Sequence, residues 1–236
     1  MILLKGIEKN FNGTPAVEDV SLEVKRGEKC CLVGPTGSGK TTLLRLIAGL
    51  EQPDRGEIFI DGRLASSGTV MLPPHQRKIG MVFQNLAVWP HLTVLKHLVT
   101  VMNSRVSPRE RREKALGILH RMEMGEFAKN YPGMLSGGQK QKLAIARMIA
   151  GQPQIALCDE PFAHLDPISK DEVRKIVYQW VEENKITIIV VTHDPLEDYT
   201  YFDSVAVMQQ GSLVPADRPG ARPDFLKCMH LDGLGK

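Results

Sequence analysis

The sequence has no apolar run approaching the roughly 18 residues that a membrane-spanning helix requires. Any role at a membrane therefore needs a partner that supplies the span. Lys5 and Glu8 interrupt the N-terminus early, which leaves no apolar region of the signal-peptide kind. The expectation is a protein that stays in the cytoplasm. Cysteine is scarce as well: Cys30, Cys31, Cys158 and Cys228 are the four in 236 residues. They lack the paired spacings of zinc sites. Cys30, Cys31 and Cys158 lie in short apolar stretches, which suits buried, reduced thiols. A strong charge of one sign is also missing. The net charge of +3 is too small to argue for nucleic acid or an anionic membrane surface. Internal repeats and low-complexity tracts are absent too.

What is present reads as an ordinary globular chain, 42% hydrophobic and 24% charged. Its length suits one large domain, or one domain with a small lobe. Alternating patterns predict strands over 2–7 and 17–24, with a turn at Asn12-Gly13 between them. Further strands are expected at 30–33, 57–60 (followed by an Asp61-Gly62 turn) and 79–83. A helix pattern covers 41–48, with Gly49 near its end. From Thr93 to Ala150 the patterns are mostly helical, punctuated by Pro108 and Pro132. The Arg- and Lys-rich stretch 103–121 reads as a solvated helix face. After Pro153 come a strand at 155–158, a helix at 168–184 and strands at 186–191 and 204–208. Strand–helix alternation around a helical insert predicts an α/β fold with a mainly parallel sheet. From Pro215 to Lys236 the pattern fails, and this stretch is read as a tail.

Gly34-Pro35-Thr36-Gly37-Ser38-Gly39-Lys40-Thr41 fits the P-loop pattern in full, between a strand and a helix. The glycines let successive backbone N–H groups turn onto phosphate oxygens without Cβ clashes. The helix that follows adds the partial positive charge of its N-terminus. Lys40 would reach the β- and γ-phosphates, and the Thr41 hydroxyl would bind Mg²⁺. Thr42 completes the stretch.

A P-loop alone does not name a reaction. Ile155 to Cys158 is an apolar strand that ends in Asp159-Glu160. A strand end of this kind can place one carboxylate, Asp159, in the Mg²⁺ shell. The other, Glu160, can activate a water for attack on the γ-phosphate. Leu135-Ser136-Gly137-Gly138-Gln139 precedes a further helix. Read alone it is a Ser-capped helix start. Its Ser136 hydroxyl and Gly138 N–H could equally receive a phosphate.

Together these stretches resemble the ATP-binding subunits of ABC transporters, over roughly residues 2 to 214. The resemblance implies a P-loop NTPase core, an antiparallel β subdomain near the N-terminus, and a helical subdomain at about 90–150. That subdomain is inserted between the Q-loop and the signature motif. The ATPase domain would be 1–214, with 215–236 as a C-terminal tail. ATP and Mg²⁺ are the implied cofactors. Phe11 takes the place of an adenine-stacking aromatic, where Tyr is commoner. Gly34 to Thr42 cradle ATP. Thr41, Gln84 and Asp159 surround the metal, and Glu160, His193 and Gln84 are catalytic. Ser136, Gly138 and Gln139 match the signature motif, which binds ATP held on another subunit's P-loop. Leu165-Asp166 match the end of the D-loop, although Ala163-His164 before them depart from the commoner Ser-Ala. His193, in Val191-Thr192-His193-Asp194, matches the switch histidine.

The implied partners are a second ATPase subunit, head-to-tail with ATP at the interface, and an integral membrane permease, with or without an extracytoplasmic solute-binding protein. Nucleic acid is not among them. The implied location is the cytoplasmic face of the cell membrane. Pro73 to Gln84 and Pro90-His91-Leu92-Thr93-Val94 look like the importers of sugars, polyamines, iron and oxyanions. Leu86, Val88 and Trp89 are expected either to line a groove for the permease or to fill the domain's own core. An exporter or lipid-handling ATPase stays open as the alternative. The tail is too short for the regulatory lobe of sugar and polyamine importers, so sensing through such a lobe is not expected.

Overall fold

The computed structural model describes residues 1–193 and 199–214. Asp194, Cys228 and the 215–236 tail lie outside the described residues. In chain order the elements are β1 (Ile2–Phe11), β2 (Thr14–Val24), β3 (Lys29–Val33), α1 (Lys40–Ala48), β4 (Arg55–Ile60), β5 (Arg63–Ser67) and β6 (Ile79–Val82). Then follow α2 (Val94–Val101), α3 (Pro108–Arg121), α4 (Gly137–Ala150), β7 (Ile155–Asp159), α5 (Pro167–Asn184), β8 (Thr187–Thr192), β9 (Ser204–Gln209) and β10 (Ser212–Val214). The chain divides into two compact units, 1–79 with the residues from 187 onward, and 80–186.

The first unit holds an antiparallel sheet of order β2-β1-β4-β5. Ile2, Leu4 and Ile7 of β1, and Val17, Val20 and Val24 of β2, enter the core; register shifts in the β1–β2 ladder, one of them between Leu4 and Ile7, break the simple alternation of faces. The β1–β2 hairpin closes through Asn12 and Gly13 at φ 51° and 81°. These are the two left-handed positions of a type I′ turn. A second layer runs β10-β9-β3-β8. Strand β3 is parallel to both neighbours, with Val33 opposite Thr192 of β8 and Val207 of β9. Cys30 to Val33 are all buried, as expected of a strand covered on both faces. Helix α1 follows from its end.

The second unit contains adjacent strands β6 and β7 and the helices α2 to α5. Helices α2, α3 and α4 pack on one another, and α5 packs on α4. Thr93, Ser107, Ser136 and Asp166 each cap one of these four helices by accepting a backbone N–H three residues on. The Arg-rich stretch forms a helix only from Pro108, and its outer face carries the i,i+4 ion pairs Arg109–Glu113 and Lys114–Glu110. Its inner face buries Ala115 and Leu119.

Two short strands went unread in the sequence, β5 and β10. Neither has an apolar alternation long enough to register as a period. Cys30, Cys31 and Cys158 are free and buried. Burial raises the Cys30 thiol to about 11 and the Cys158 thiol to about 12, so both are inert. No helix among the described residues is long and apolar enough to cross a membrane.

Candidate functional site

In the first unit the loop between β3 and α1 wraps into a cradle. Gly34 and Gly39 lie at φ 156° and 101°. At Gly34 a Cβ would strike the Met208 carbonyl, and at Gly39 the Ala16 carbonyl. Both positions therefore admit only glycine. Gly37, at φ 81°, faces open space. Pro35 and Thr36 are exposed, while Ser38 is buried. The Ser38 carbonyl accepts from Gly211 N–H at 3.1 Å, which ties the loop to the β9–β10 turn.

The Lys40 ammonium is buried and curls back over the loop. It donates to the carbonyls of Gly34 (2.8 Å) and Pro35 (2.7 Å), and to Ser38 Oγ at 3.3 Å. Unlike α2 to α5, helix α1 has no side-chain cap, since Gly39 precedes it. The amides of its first turn, at Lys40, Thr41 and Thr42, sit at the positive end of the helix dipole. A cationic side chain and an uncapped helix start thus converge on one concave loop.

Two other predicted residues flank that loop in the same unit. His193 follows Thr192, whose partner Val33 immediately precedes Gly34; it is exposed at the end of β8. Phe11 closes β1 opposite Thr14, two residues before the Ala16 carbonyl that touches Gly39. Its ring is 41% exposed, with the Lys9 ammonium 5.2 Å from the centroid. An exposed aromatic at this place is available for stacking, not spent on the core.

The second unit holds the other predicted residues. Asp159 ends β7 and is buried. Glu160 follows at φ 50°, a left-handed conformation that is strained for a non-glycine residue. Gln141 of α4 braces this corner by donating to the Pro161 carbonyl at 2.5 Å and to that of Glu160 at 3.5 Å. The Gln141 carbonyl oxygen accepts from His164 Nδ1 at 3.1 Å. One buried amide therefore ties the segment after β7 to the first turns of α4. A Cβ at Gly138 would lie 3.2 Å from the His164 carbonyl and 3.6 Å from Leu165 Cδ2, so the segment carrying Leu165 and Asp166 packs on the start of α4. Ser136 and Gln139 form a full capping box: Ser136 N–H donates to Gln139 Oε1 (2.8 Å), and Gln139 N–H donates to Ser136 Oγ (3.2 Å). Asp166 caps α5 through Ser169 N–H at 3.1 Å.

Gln84 is exposed just after β6. The segment behind it has Leu86 and Ala87 at φ 61° and 42°. Arg147 of α4 holds this strained turn by donating to the Leu86 (3.0 Å) and Ala87 (2.6 Å) carbonyls. Its guanidinium also lies 4.9 Å from the Trp89 ring centre. Trp89 stacks on His97 at 5.4 Å and 19°. His97 Nδ1 donates to the Thr93 carbonyl (2.8 Å), so Nε2 is left to accept Trp89 N–H (2.9 Å). Of the three residues expected either to line a groove or to fill the core, Leu86 is buried and Trp89 is stacked within its own unit, while Val88 is half-buried. Sequence reasoning missed His97, Arg147 and Gln141, because nothing local distinguishes them.

Burial pulls the His97 pKa below its ordinary 6.5; the bond to Thr93 opposes this, and the charges of Arg147 and His91 add to it. The unfolded chain binds that proton at higher pH than the folded one. The contribution to stability is thus complete above 6.5 and is lost as pH falls from there toward the folded value. His97→Gln should remove this pH-dependent component. Urea titrations at a series of pH values test it, and parallel curves for variant and wild type would refute it.

The family model for ABC transporters matches residues 17–163, more than half of the chain. The chain belongs to the ABC transporter family. Among ABC relatives, it is 42% identical over 216 residues to the Fe(3+) ions import ATP-binding protein FbpC of Pseudomonas fluorescens, covering 92% of this chain and 61% of that one. It is 36% identical over 222 residues to the glucose import ATP-binding protein GlcV of Saccharolobus solfataricus, covering 92% and 63%. It is 41% identical over 223 residues to the sulfate/thiosulfate import ATP-binding protein CysA of Escherichia coli K12, covering 92% and 60%. The chain thus spans about three fifths of the length of these curated relatives. Its fold matches a dimeric, post-hydrolysis structure of the ABC cassette MJ0796 bound to ADP and Pi. The TM-score is 0.84 at 32% identity, covering 92% of this chain and 98% of that one.

Proposed function

We propose that this chain is the ATP-hydrolysing subunit of an ABC importer, working as a pair and energising a separate membrane permease from the cytoplasmic face. The observation that carries the reading is the β3–α1 cradle, in which Lys40 and the uncapped start of α1 face the same loop interior. That arrangement suits the triphosphate of ATP. On phosphate binding, Lys40 trades neutral acceptors for anionic oxygens, and the first-turn amides of α1 face the same oxygens.

The oxygen-only set of Thr41, Gln84 and the buried Asp159 carboxylate fits Mg²⁺. This ion is usually held by one or two carboxylates together with substrate phosphates. When bound it neutralises charge on the β- and γ-phosphate oxygens. Glu160 accepts a proton from the attacking water, and His193 and Gln84 orient the γ-phosphate and that water. Phe11 stacks on adenine. Ser136 and Gly138 serve ATP on a second copy's P-loop: a hydroxyl that accepts one bond still has a proton to give. Gln139 supports them through the capping box, and Leu165 and Asp166 face the second copy.

The names of the relatives support import over export, and the dimeric cassette structures support the pairing. A solute-binding protein is part of the same proposal. The first test is ATP hydrolysis by the purified chain with and without Mg²⁺, alongside Lys40→Ala. Loss of charge-assisted bonds to phosphate should weaken ATP binding by about 10- to 100-fold in that variant. Unchanged binding would refute the cradle. Purification from native membranes should then bring down a polytopic permease with a solute-binding protein; a permease alone would favour export.

A further inference from the structure

The second unit contains a cavity that ATP chemistry does not use. It has a volume of about 470 Å³ and lies between α3 and the C-terminal ends of α4 and α5, within the size range of small-molecule sites. Arg111, Lys114, Ile118 and Arg121 line one wall. Their i, i+3, i+7, i+10 spacing puts them on one stripe of α3. Trp180 and Glu183 of α5 line the opposite wall. Three cations thus face a single acid.

Lys114 is paired with Glu110 at 2.8 Å, both about half-exposed, so that pair is weak and exchangeable. Arg111 Nε is different. It is buried and has no hydrogen-bond partner among the described residues. A buried donor of this kind is costly unless something supplies an acceptor. Ile118, Ile149 and Trp180 give the same cavity an apolar side. At Gly117 the wall is open, and an added Cβ would meet nothing within 4 Å.

We propose that this cavity binds an amphipathic organic anion. Its carboxylate or phosphate head lies against Arg111, Lys114 and Arg121, and its apolar or aromatic body rests on Ile118 and Trp180. The binding claim stands on the cavity alone. A consequence follows that rests on the ATPase reading. Helices α4 and α5 start next to Ser136 and Asp166 and end at the cavity. A ligand at their C-terminal ends therefore biases the placement of the signature and D-loop segments at the other ends, and with it the turnover rate.

Calorimetric titration of the full chain with 1-naphthoate, 1-naphthyl phosphate and neutral 1-naphthol tests this, with saturating Mg-ADP present to occupy the P-loop. Saturable binding of the anions with Kd below about 1 mM is expected, with little binding of naphthol. The stronger of the two anions identifies the head group. The double variant Arg111→Gln, Arg121→Gln should weaken anion binding by about tenfold or more. Gly117→Leu, which fills the open wall and leaves the cations in place, should abolish binding without lowering the melting temperature. Absence of saturable binding, or equal binding by the double variant, overturns the site. Binding that leaves ATP turnover unchanged overturns the coupling and keeps the site. A wild-type chain that binds naphthoate but hydrolyses no ATP sinks the ATPase reading and leaves the site standing.

Discussion

Glu160→Gln is expected to cut steady-state ATP turnover by about 10²- to 10⁴-fold while ATP still binds. The exchange keeps the shape of the side chain and removes its capacity to take a proton. Glu160 sits immediately after the buried Asp159, at a left-handed φ of 50°, and its carbonyl is tied to Gln141. The backbone that presents this side chain is thus held by α4, and strain at a residue so over-determined is a common mark of a reacting group. Because the exchange leaves the cradle's own residues unchanged, ATP affinity should change little. With the chemical step blocked, ATP should accumulate between two paired copies, so gel filtration with ATP should shift the variant to a dimer. Single-turnover measurements check the assignment. Wild-type turnover in the variant would remove Glu160 from the role of base and leave the cradle untouched.

Arg77→Met should destabilise the fold by about 3–5 kcal/mol, read as a fall in the urea midpoint. Arg77 is 3% exposed and has no carboxylate partner among the described residues. Instead its guanidinium donates to the carbonyls of Leu46 (3.2 Å), Ile47 (2.9 Å), Leu72 (2.7 Å) and Ala65 (3.0 Å), and to Ser66 Oγ at 2.6 Å. Two of these carbonyls belong to the last turn of α1, where a cation also complements the helix dipole. Gly49 makes room, since a Cβ there would collide with the guanidinium. Burial lowers the Arg77 pKa to about 10, so the group stays charged at neutral pH and its donors remain committed. The methionine fills similar volume but leaves those acceptors buried and unmet, which is the expensive half of a lost hydrogen bond. Arg77→Lys should recover less than half of the loss, because an ammonium cannot span five acceptors with a planar fork. A shift under about 1 kcal/mol for Arg77→Met would mean that water enters and takes over these groups.

The parts of this protein that were legible beforehand are those written in consecutive residues. The Asn12-Gly13 turn, strands β1 and β2, the buried β3 and the Ser136 cap of α4 all depend on near neighbours. The same holds for the cradle, because a phosphate-binding loop needs its glycines, its Lys40 and its helix start in unbroken order. Ser136 reads in two ways at once, as a helix cap and as a proposed signature residue. The capping box accounts for the first use and is compatible with the second. Strands β5 and β10 were not legible, being short segments that exist because a neighbouring strand offers them a ladder.

Sequence alone determined the turns, the helix faces and the glycine-rich loop of the proposed cradle, because backbone conformation and side-chain spacing are local properties. Only the tertiary structure decided what Arg77, His97, Gln141 and Arg147 do. Each is a polar group in a low-dielectric interior, where its cost or benefit depends on acceptors brought from up to 61 residues away. The cavity beside Arg111 belongs to the same class. A stripe of cations that reads as a solvated helix face becomes a candidate site once the ends of α4 and α5 close over it.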